Sequence, residues 1–218
     1  MTASCDSTHI CACQRQTHDC KRVVLTGGPG AGKTAVLEIA QKNFCEHISI
    51  LPEAASIIFG GGFWRRDSIE GKKAAQRAIF HVQREIEELV EGERKSAVAL
   101  CDRGTIDGLA YWPGSEESFW QETGTTKAIE LSRYAAVIHL RTPPLDQGYN
   151  HQNPVRIESA MQAAEIDEKI AGAWDDHPRR FFVESSNEFL EKVSRTIALI
   201  KDELPECCKR HQIEELSK

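Results

Sequence analysis

Gly27-Gly28-Pro29-Gly30-Ala31-Gly32-Lys33-Thr34 matches G-x-x-x-x-G-K-[ST], a spacing with a physical purpose. Glycines let successive backbone N–H groups turn inward and cradle phosphate oxygens, and a helix opening at Lys33 adds its partial positive charge. In such a loop Lys33 reaches the β- and γ-phosphates, and the Thr34 hydroxyl ligates Mg2+. Average residue usage produces the four fixed positions by chance in about 1% of chains of this length. The stretch also follows a short apolar run and precedes residues at helical spacing, where the mechanism needs it. A nucleoside-triphosphate site is expected, with residues Gly27, Gly28, Pro29, Gly30, Ala31, Gly32, Lys33 and Thr34 around the phosphates.

Charged partners follow other apolar runs. Asp102 ends Ala97-Val98-Ala99-Leu100-Cys101 and would be delivered to the C-terminal edge of a sheet, where such sites lie. There it would hold Mg2+ directly or through water; the other reading is a cap for the turn at Gly104. Arg103 follows at once and suits stabilisation of a transferring phosphoryl group, or else a structural ion pair. Glu53 comes after the run Ile48–Leu51 and could take a proton from a substrate hydroxyl or position water. Its alternative is a helix N-terminal acid favoured by the dipole. Arg141 ends a fourth run and could lie near the nucleotide base. Arg156 falls where a lid would close and could contact phosphate; for both, a solvated charge is the competing reading. Trp64, Arg65 and Arg66, after Gly60-Gly61-Gly62, could clamp a second substrate or simply form a surface loop. His81, His139 and Trp174 read as packing residues.

The elements that must position these groups are legible from periodicity. Short apolar runs at Arg22–Thr26, Ile48–Leu51, Ala97–Cys101, Ala135–Leu140 and Arg180–Val183 predict five strands. Helical spacing appears over Lys33–Phe44, from Gly71 to about Glu91, from Asn153 to about Asp175, and along Phe189, Val193, Ile197 and Ile200. Ser185 with Glu188 has the capping-box pattern for the last of these. The triple glycine at 60–62 predicts a mobile loop. Strands alternating with helices imply an α/β fold of three layers, a five-stranded, mainly parallel sheet covered on both faces. Residues 1–20 read as a leader, 21–205 as one domain and 206–218 as a tail.

Composition narrows the classes. The 218 residues carry 27 Lys+Arg against 33 Asp+Glu, a net charge of −6, without the basic excess of a general nucleic-acid binder. No apolar run approaches the ~20 residues of a spanning helix, and no secretory signal opens the chain, so a cytoplasmic protein with reduced thiols is expected. Four of the eight cysteines lie in the leader, where Cys5, Cys11, Cys13 and Cys20 stand with His9 and His18. Their C-x5-C-x-C-x6-C spacing is a poor match to the paired cysteines of zinc sites, so a flexible tail is the first reading, metal binding the second and a disulfide knot the last, since nothing suggests secretion. Cys45 and Cys101 read as small buried apolar groups, and Cys207 and Cys208, after Pro205, as exposed.

Taken in order, GGPGAGKT, LPEAAS, the helix carrying Gln83-Arg84-Glu85, CDRGTIDG, HLRTP and the stretch from Asn153-Pro154-Val155-Arg156 to Trp174-Asp175-Asp176-His177-Pro178 resemble one family. It is the AAA-type P-loop ATPase domain shared by the nicotinamide-riboside-kinase half of bacterial NadR and the fly TRPL translocation defect protein. The resemblance spans about residues 21 to 205. It implies a P-loop NTPase of the kinase-like branch, with a nucleoside-kinase strand order, Glu53 as base, and Asp102 with Arg103 as the acid–arginine pair.

Two functions follow. One is an ATP- and Mg2+-dependent phosphotransferase acting on a small hydroxylated metabolite such as a nucleoside or riboside. Its rival is a nucleotide-dependent switch or ATPase that reports to a protein or lipid partner. ATP is favoured over GTP, because the chain lacks N-K-x-D and Asp102-Arg103-Gly104-Thr105 does not give D-x-x-G.

Overall fold

The five apolar runs become the strands of a single all-parallel sheet in the computed structural model, which describes residues 18–143, 160–185 and 189–209. The elements run β1 (Lys21–Thr26), α1 (Lys33–Asn43), β2 (Ile48–Leu51), α2 (Ala54–Gly60), α3 (Ile69–Glu93) and β3 (Val98–Asp102). A 3-10 helix (Thr105–Tyr111) leads to α4 (Glu116–Thr123), α5 (Lys127–Ser132) and β4 (Ala136–Leu140). Then come α6 (Ala160–Ala173), β5 (Arg180–Val183), α7 (Phe189–Glu203) and α8 (Glu206–Lys209). The strand order is β2-β3-β1-β4-β5, every pair parallel.

Alternation along the central strands supplies both cores. Val23 and Leu25 of β1 point to one face, joining Leu100, Ile138, Val36 and Leu37 of α1, and Val193 and Ile197 of α7. Val24 points to the other, among Ala99, Cys101, Val137, Ile106, and Ile170 and Trp174 of α6. A strand buried on both faces must be apolar throughout, which is why these runs do not alternate in sequence.

The chain leaving β1 goes to one side of the sheet, to β2, while that leaving β4 goes to the other, to β5. Between two such strands the connecting segments diverge and open a crevice at the C-terminal ends. The phosphate loop, Asp102 and Arg141 all stand at that edge.

The structure revises several expectations. Gly60–Gly62, expected as a mobile loop, forms the closed C-terminal end of α2. Phe63 N–H donates to Ile58 O at 3.1 Å and Gly62 N–H to Phe59 O at 3.2 Å, with Gly62 at φ +92°. That is the Schellman arrangement, which a glycine permits and which satisfies the last helical carbonyls. The helices α4 and α5, short and polar, have no counterpart in the periodicity. Cys208, expected at the surface, is only 2% exposed and packs with Cys45, Phe44 and Leu204. The capping-box Glu188 and the residues before Ala160 lie outside the described residues.

Candidate phosphate-binding site

The loop after β1 takes its shape from glycines at positive φ: Gly27 at +131°, Gly30 at +84° and Gly32 at +94°. Gly27 is also constrained by space, because a Cβ there would sit 2.1 Å from the carbonyl oxygen of Leu140 at the end of β4. Gly32 caps α1, and no acidic residue occupies the helix's first turn. The carboxylate that a helix dipole ordinarily attracts is missing, so the site is electrostatically open to an anion. Lys33 is 8% exposed, and its Nζ donates to the carbonyls of Gly27 at 2.9 Å and Gly28 at 3.2 Å. Burial, reinforced by the neighbouring charge of Arg103, lowers its pKa to about 8. Thr34 is exposed beside it.

On the β3 side, Arg103 interlocks with two carboxylates, Glu53 and Asp107. Arg103 has φ +74°, a left-handed conformation that costs a side-chain-bearing residue on the order of 1–3 kcal/mol. Its N–H donates to Leu25 O at 3.1 Å, extending the β1–β3 pairing past Asp102. The guanidinium then donates from Nε to Glu53 Oε1 at 2.7 Å and from Nη1 to Gly27 O at 3.2 Å, with Asp107 Oδ2 3.6 Å away. Burial opposes its charge, but Tyr111, Glu53, Asp107 and Asp102 outweigh that and raise its pKa further. Asp107 braces the arrangement, accepting from Thr26 Oγ1 at 2.8 Å and Trp174 Nε1 at 2.6 Å. The Trp174 indole, read from sequence as packing alone, is thus also a donor to the site's scaffold.

Glu53 precedes α2, yet among the described residues its carboxylate accepts no backbone N–H of that helix. It accepts from Arg103 and, at 2.5 Å, from Ser56 Oγ. Burial pushes its pKa up, but Arg103, Ser56 and Lys33 together hold it at about 2. Asp102 is pushed the other way, to about 6, by burial first, against the pull of Lys33. Its Oδ1 is buried and has no hydrogen-bond partner among the described residues. An orphaned, buried carboxylate oxygen at the end of β3 and an exposed Thr34 hydroxyl at the start of α1 are hard oxygen donors of the kind Mg2+ takes, so these residues fit that ion.

Behind the loop lies a cluster that sequence reasoning missed. Asp167 of α6 is buried and its Oδ1 accepts from the Gly28 N–H at 2.7 Å. The same carboxylate meets His139 Nε2 at 2.9 Å and Arg141 Nη1 at 3.0 Å. Burial raises its pKa, but His139, the Gly28 N–H and Arg141 outweigh this and hold it below the ordinary carboxylate range. Lys192 of α7, its pKa lowered to about 8 by burial, donates to the Arg141 carbonyl at 2.5 Å. Arg141 therefore stands in contact with Asp167 and Glu168. Arg156 lies outside the described residues. Trp64 is 72% exposed, with the Arg66 guanidinium 4.8 Å over its ring, and Arg65 lies over Phe59.

The Glu53–Arg103 pair carries a pH signature. A carboxyl depressed from 4.5 to about 2 contributes stability that is complete above pH 4.5 and lost as pH falls towards 2. One pKa unit corresponds to about 1.4 kcal/mol, so the pair is worth on the order of 3 kcal/mol. Denaturant unfolding should show Glu53→Gln less stable than the parent at pH 7, with the gap narrowing below pH 4.5. A gap independent of pH would mean the carboxylate is not the stabilising species.

Comparison with known proteins bears on the family and the fold. A search of curated proteins returns no match. Among solved structures, thymidylate kinase from Candida albicans is similar with a TM-score of 0.57 at 12% identity, over 84% of this chain and 91% of that one. Thymidylate kinase from Ehrlichia chaffeensis gives 0.53 at 12% identity, over 83% and 98%. At such identity the likeness is one of fold: a five-stranded parallel sheet with flanking helices, as in P-loop kinases. The family model described as AAA domain matches residues 22–192, from the start of β1 to the first turn of α7. With its phosphate loop, acid–arginine pair and sheet all inside that span, the chain belongs to the AAA domain family of P-loop proteins.

Proposed function

We propose that the protein is a Mg2+-dependent ATP phosphotransferase that moves the γ-phosphoryl group to a hydroxyl of a small metabolite, such as a nucleoside or riboside. The observation that carries this reading is the Arg103 guanidinium, shared between Glu53 and the Gly27 carbonyl of the phosphate loop. It ties the acid that faces an acceptor to the loop that holds the donor. The kinase-like fold supports it, as does the family resemblance to the nicotinamide-riboside-kinase half of NadR.

Lys33 and the backbone N–H groups of Gly30 and of residues 32–34 bind the β- and γ-phosphates, the lysine exchanging its loop carbonyls for phosphate oxygens, while the Gly28 N–H stays on Asp167. Bound Mg2+, held by Thr34 and Asp102, would neutralise charge on the transferring group. Arg103 stabilises the charge that grows on the equatorial oxygens, and its carboxylate partners hold it in position at no cost during the reaction. Glu53 orients the acceptor hydroxyl. At a pKa of about 2 it is a weak proton acceptor. That suffices where bond making to the incoming oxygen lags and the proton leaves late, as in loose phosphoryl transfer. The acceptor enters past α2 and the Phe63–Arg66 segment.

Purified protein incubated with labelled ATP, Mg2+ and a panel of nucleosides and ribosides should label at least one of them. Glu53→Gln should lower that turnover while ATP binding persists. Absence of transfer to every member of the panel would overturn the reading. A second reading, an ATP-dependent switch for a protein or lipid partner, is favoured by one observation. Ile57, Phe63, Trp64 and Ile69 are all exposed around the end of α2, directly after Glu53. Slow hydrolysis without an acceptor, accelerated by a partner, would favour it. Among the described residues no helix is long and apolar enough to cross a membrane.

A further inference from the structure

The opposite edge of the sheet holds a second constellation that the nucleotide chemistry does not use. Cys45 and His47 form the turn between α1 and β2, and Cys208 lies in α8, more than 160 positions away in sequence. The three residues are buried, and one ligand atom from each lies within 4.8 Å of the other two. Cys45 Sγ is 3.3 Å from Cys208 Sγ, which is 3.5 Å from His47 Nδ1. Four-coordinate zinc, with Zn–S about 2.3 Å and Zn–N about 2.0–2.1 Å, requires S···S near 3.8 Å and S···N near 3.6 Å. The sulfurs must part by about half an ångström, the Cys208–His47 separation already fits, and the Cys45–His47 separation lies within 4.8 Å, so a local adjustment of the α1–β2 turn would admit the ion.

The scaffold around them is fixed. The His47 carbonyl accepts from both Ala97 N–H at 2.7 Å and Val98 N–H at 3.1 Å, pinning the turn to the start of β3. Cys208 is placed by its own N–H on the Pro205 carbonyl at 2.8 Å. An independent observation marks the spot. His18 is 8% exposed, its ring centroid is 4.4 Å from that of His47, and its Nε2 is buried without a hydrogen-bond partner among the described residues. Buried imidazole nitrogens are rarely left unsatisfied. Beside it a cleft of about 380 Å3, lined by His18, Lys21, Arg94, Glu203 and Pro205, gives access from solvent.

We propose that Cys45, His47 and Cys208 bind one Zn2+ ion, with a water in the fourth position beside His18, and that the ion fastens the C-terminal helix to the α1–β2 turn. On binding, both thiols ionise and release two protons to solvent as two Zn–S bonds form; the imidazole donates neutral, so nothing is oxidised or reduced. Soft sulfur and imidazole donors select zinc over Mg2+, so the two ends of the sheet do not compete for one ion. The site stands apart from the proposed phosphotransfer and does not depend on it.

The test uses the full chain purified under reducing conditions, loaded with Zn2+ and then dialysed. Elemental analysis should find one tightly held equivalent, and Co2+ in its place should give the intense visible bands of tetrahedral thiolate ligation. Cys208→Ser and His47→Ala should each weaken Zn2+ binding at least 100-fold, and Cys208→His should recover it. His18→Ala should weaken it less. Serine at Cys5, Cys11 and Cys13 together should leave it unchanged, which separates this site from the leader. Because a ligand variant could simply unfold, the unaltered protein is also melted with and without a chelator; the melting temperature should fall and return on adding Zn2+. The proposal is overturned by absence of bound metal, by zinc that survives both Cys208→Ser and His47→Ala, or by zinc lost with the leader serines. Recovery of a Cys45–Cys208 disulfide in place of metal overturns it as well.

Discussion

Lys33→Met is expected to remove nucleotide-dependent stabilisation while leaving the melting temperature of the nucleotide-free protein unchanged or slightly higher. The two halves of this result have different origins. In the nucleotide-free protein the ammonium is buried, its pKa is lowered to about 8, and Arg103 is a near neighbour of like charge. Burying a cation under those conditions costs free energy that two hydrogen bonds to loop carbonyls only offset. Methionine keeps the length and apolar stem and drops the charge, so the fold loses little. Phosphate binding loses its principal cation. Removing one group that stabilises transferring charge typically lowers turnover by about 10²–10³-fold. If affinity falls by a similar factor, ATP at about 100 times the original Kd stabilises by about 0.4 instead of about 2.7 kcal/mol. For a domain of this size that turns a shift of about 5–10 °C into one of about 1 °C. Differential scanning fluorimetry with and without MgATP reads both halves at once. A variant that melts several degrees lower without nucleotide, or keeps the full shift with it, would contradict the placement of Lys33.

What the sequence alone makes legible is what depends on short spacings. The central strands are buried on both faces, so each must be an unbroken apolar run, and β2 and β5 appear with the observed limits at Ile48–Leu51 and Arg180–Val183. The phosphate loop is legible for the same reason: its glycines, lysine and threonine act within eight consecutive residues. Asp102 and Glu53 were reachable because strand ends in a parallel sheet all point to one edge. What was hidden rests on pairings between distant positions. Asp167 is one acid among several on a helix rich in alanine and acid, and only the fold shows its partner to be Gly28, 139 positions away. His139 looked like one more core residue of β4 because nothing local distinguishes a histidine facing a carboxylate from one packed among apolar neighbours. The left-handed backbone of Arg103 has no signature in residue type, since glycine and asparagine are the usual occupants. Cys208 followed a proline near the end of the chain, a position that ordinarily means exposure, and its burial depends on Cys45, 163 residues earlier.

Asp167→Ala should lower stability by about 3 kcal/mol, within the range seen when one partner of a buried charged cluster is removed. The alanine strands three groups together: the Gly28 N–H, His139 and Arg141, which all converge on that carboxylate. Its effect on nucleotide affinity has two opposed parts. An anion beside a phosphate cradle repels phosphate, so its removal favours binding. Yet the same anion fixes the loop's second glycine, where a Cβ would already collide with Thr142 Oγ1 at 2.4 Å, so the loop has few alternative ways to be held. Asp167→Asn separates the two. The amide oxygen still accepts from the Gly28 N–H while the charge is gone, so this variant should bind MgATP as tightly as the parent or more so, at a smaller loss of stability. The alanine variant should bind several-fold more weakly, because ordering the loop must then be repaid from binding energy. Isothermal titration with MgATP on both variants, beside their denaturant midpoints, distinguishes these effects. If asparagine weakens binding as much as alanine, the carboxylate charge supports the loop instead of repelling phosphate and the separation of anchor from charge fails; if neither changes it, Asp167 serves the fold alone.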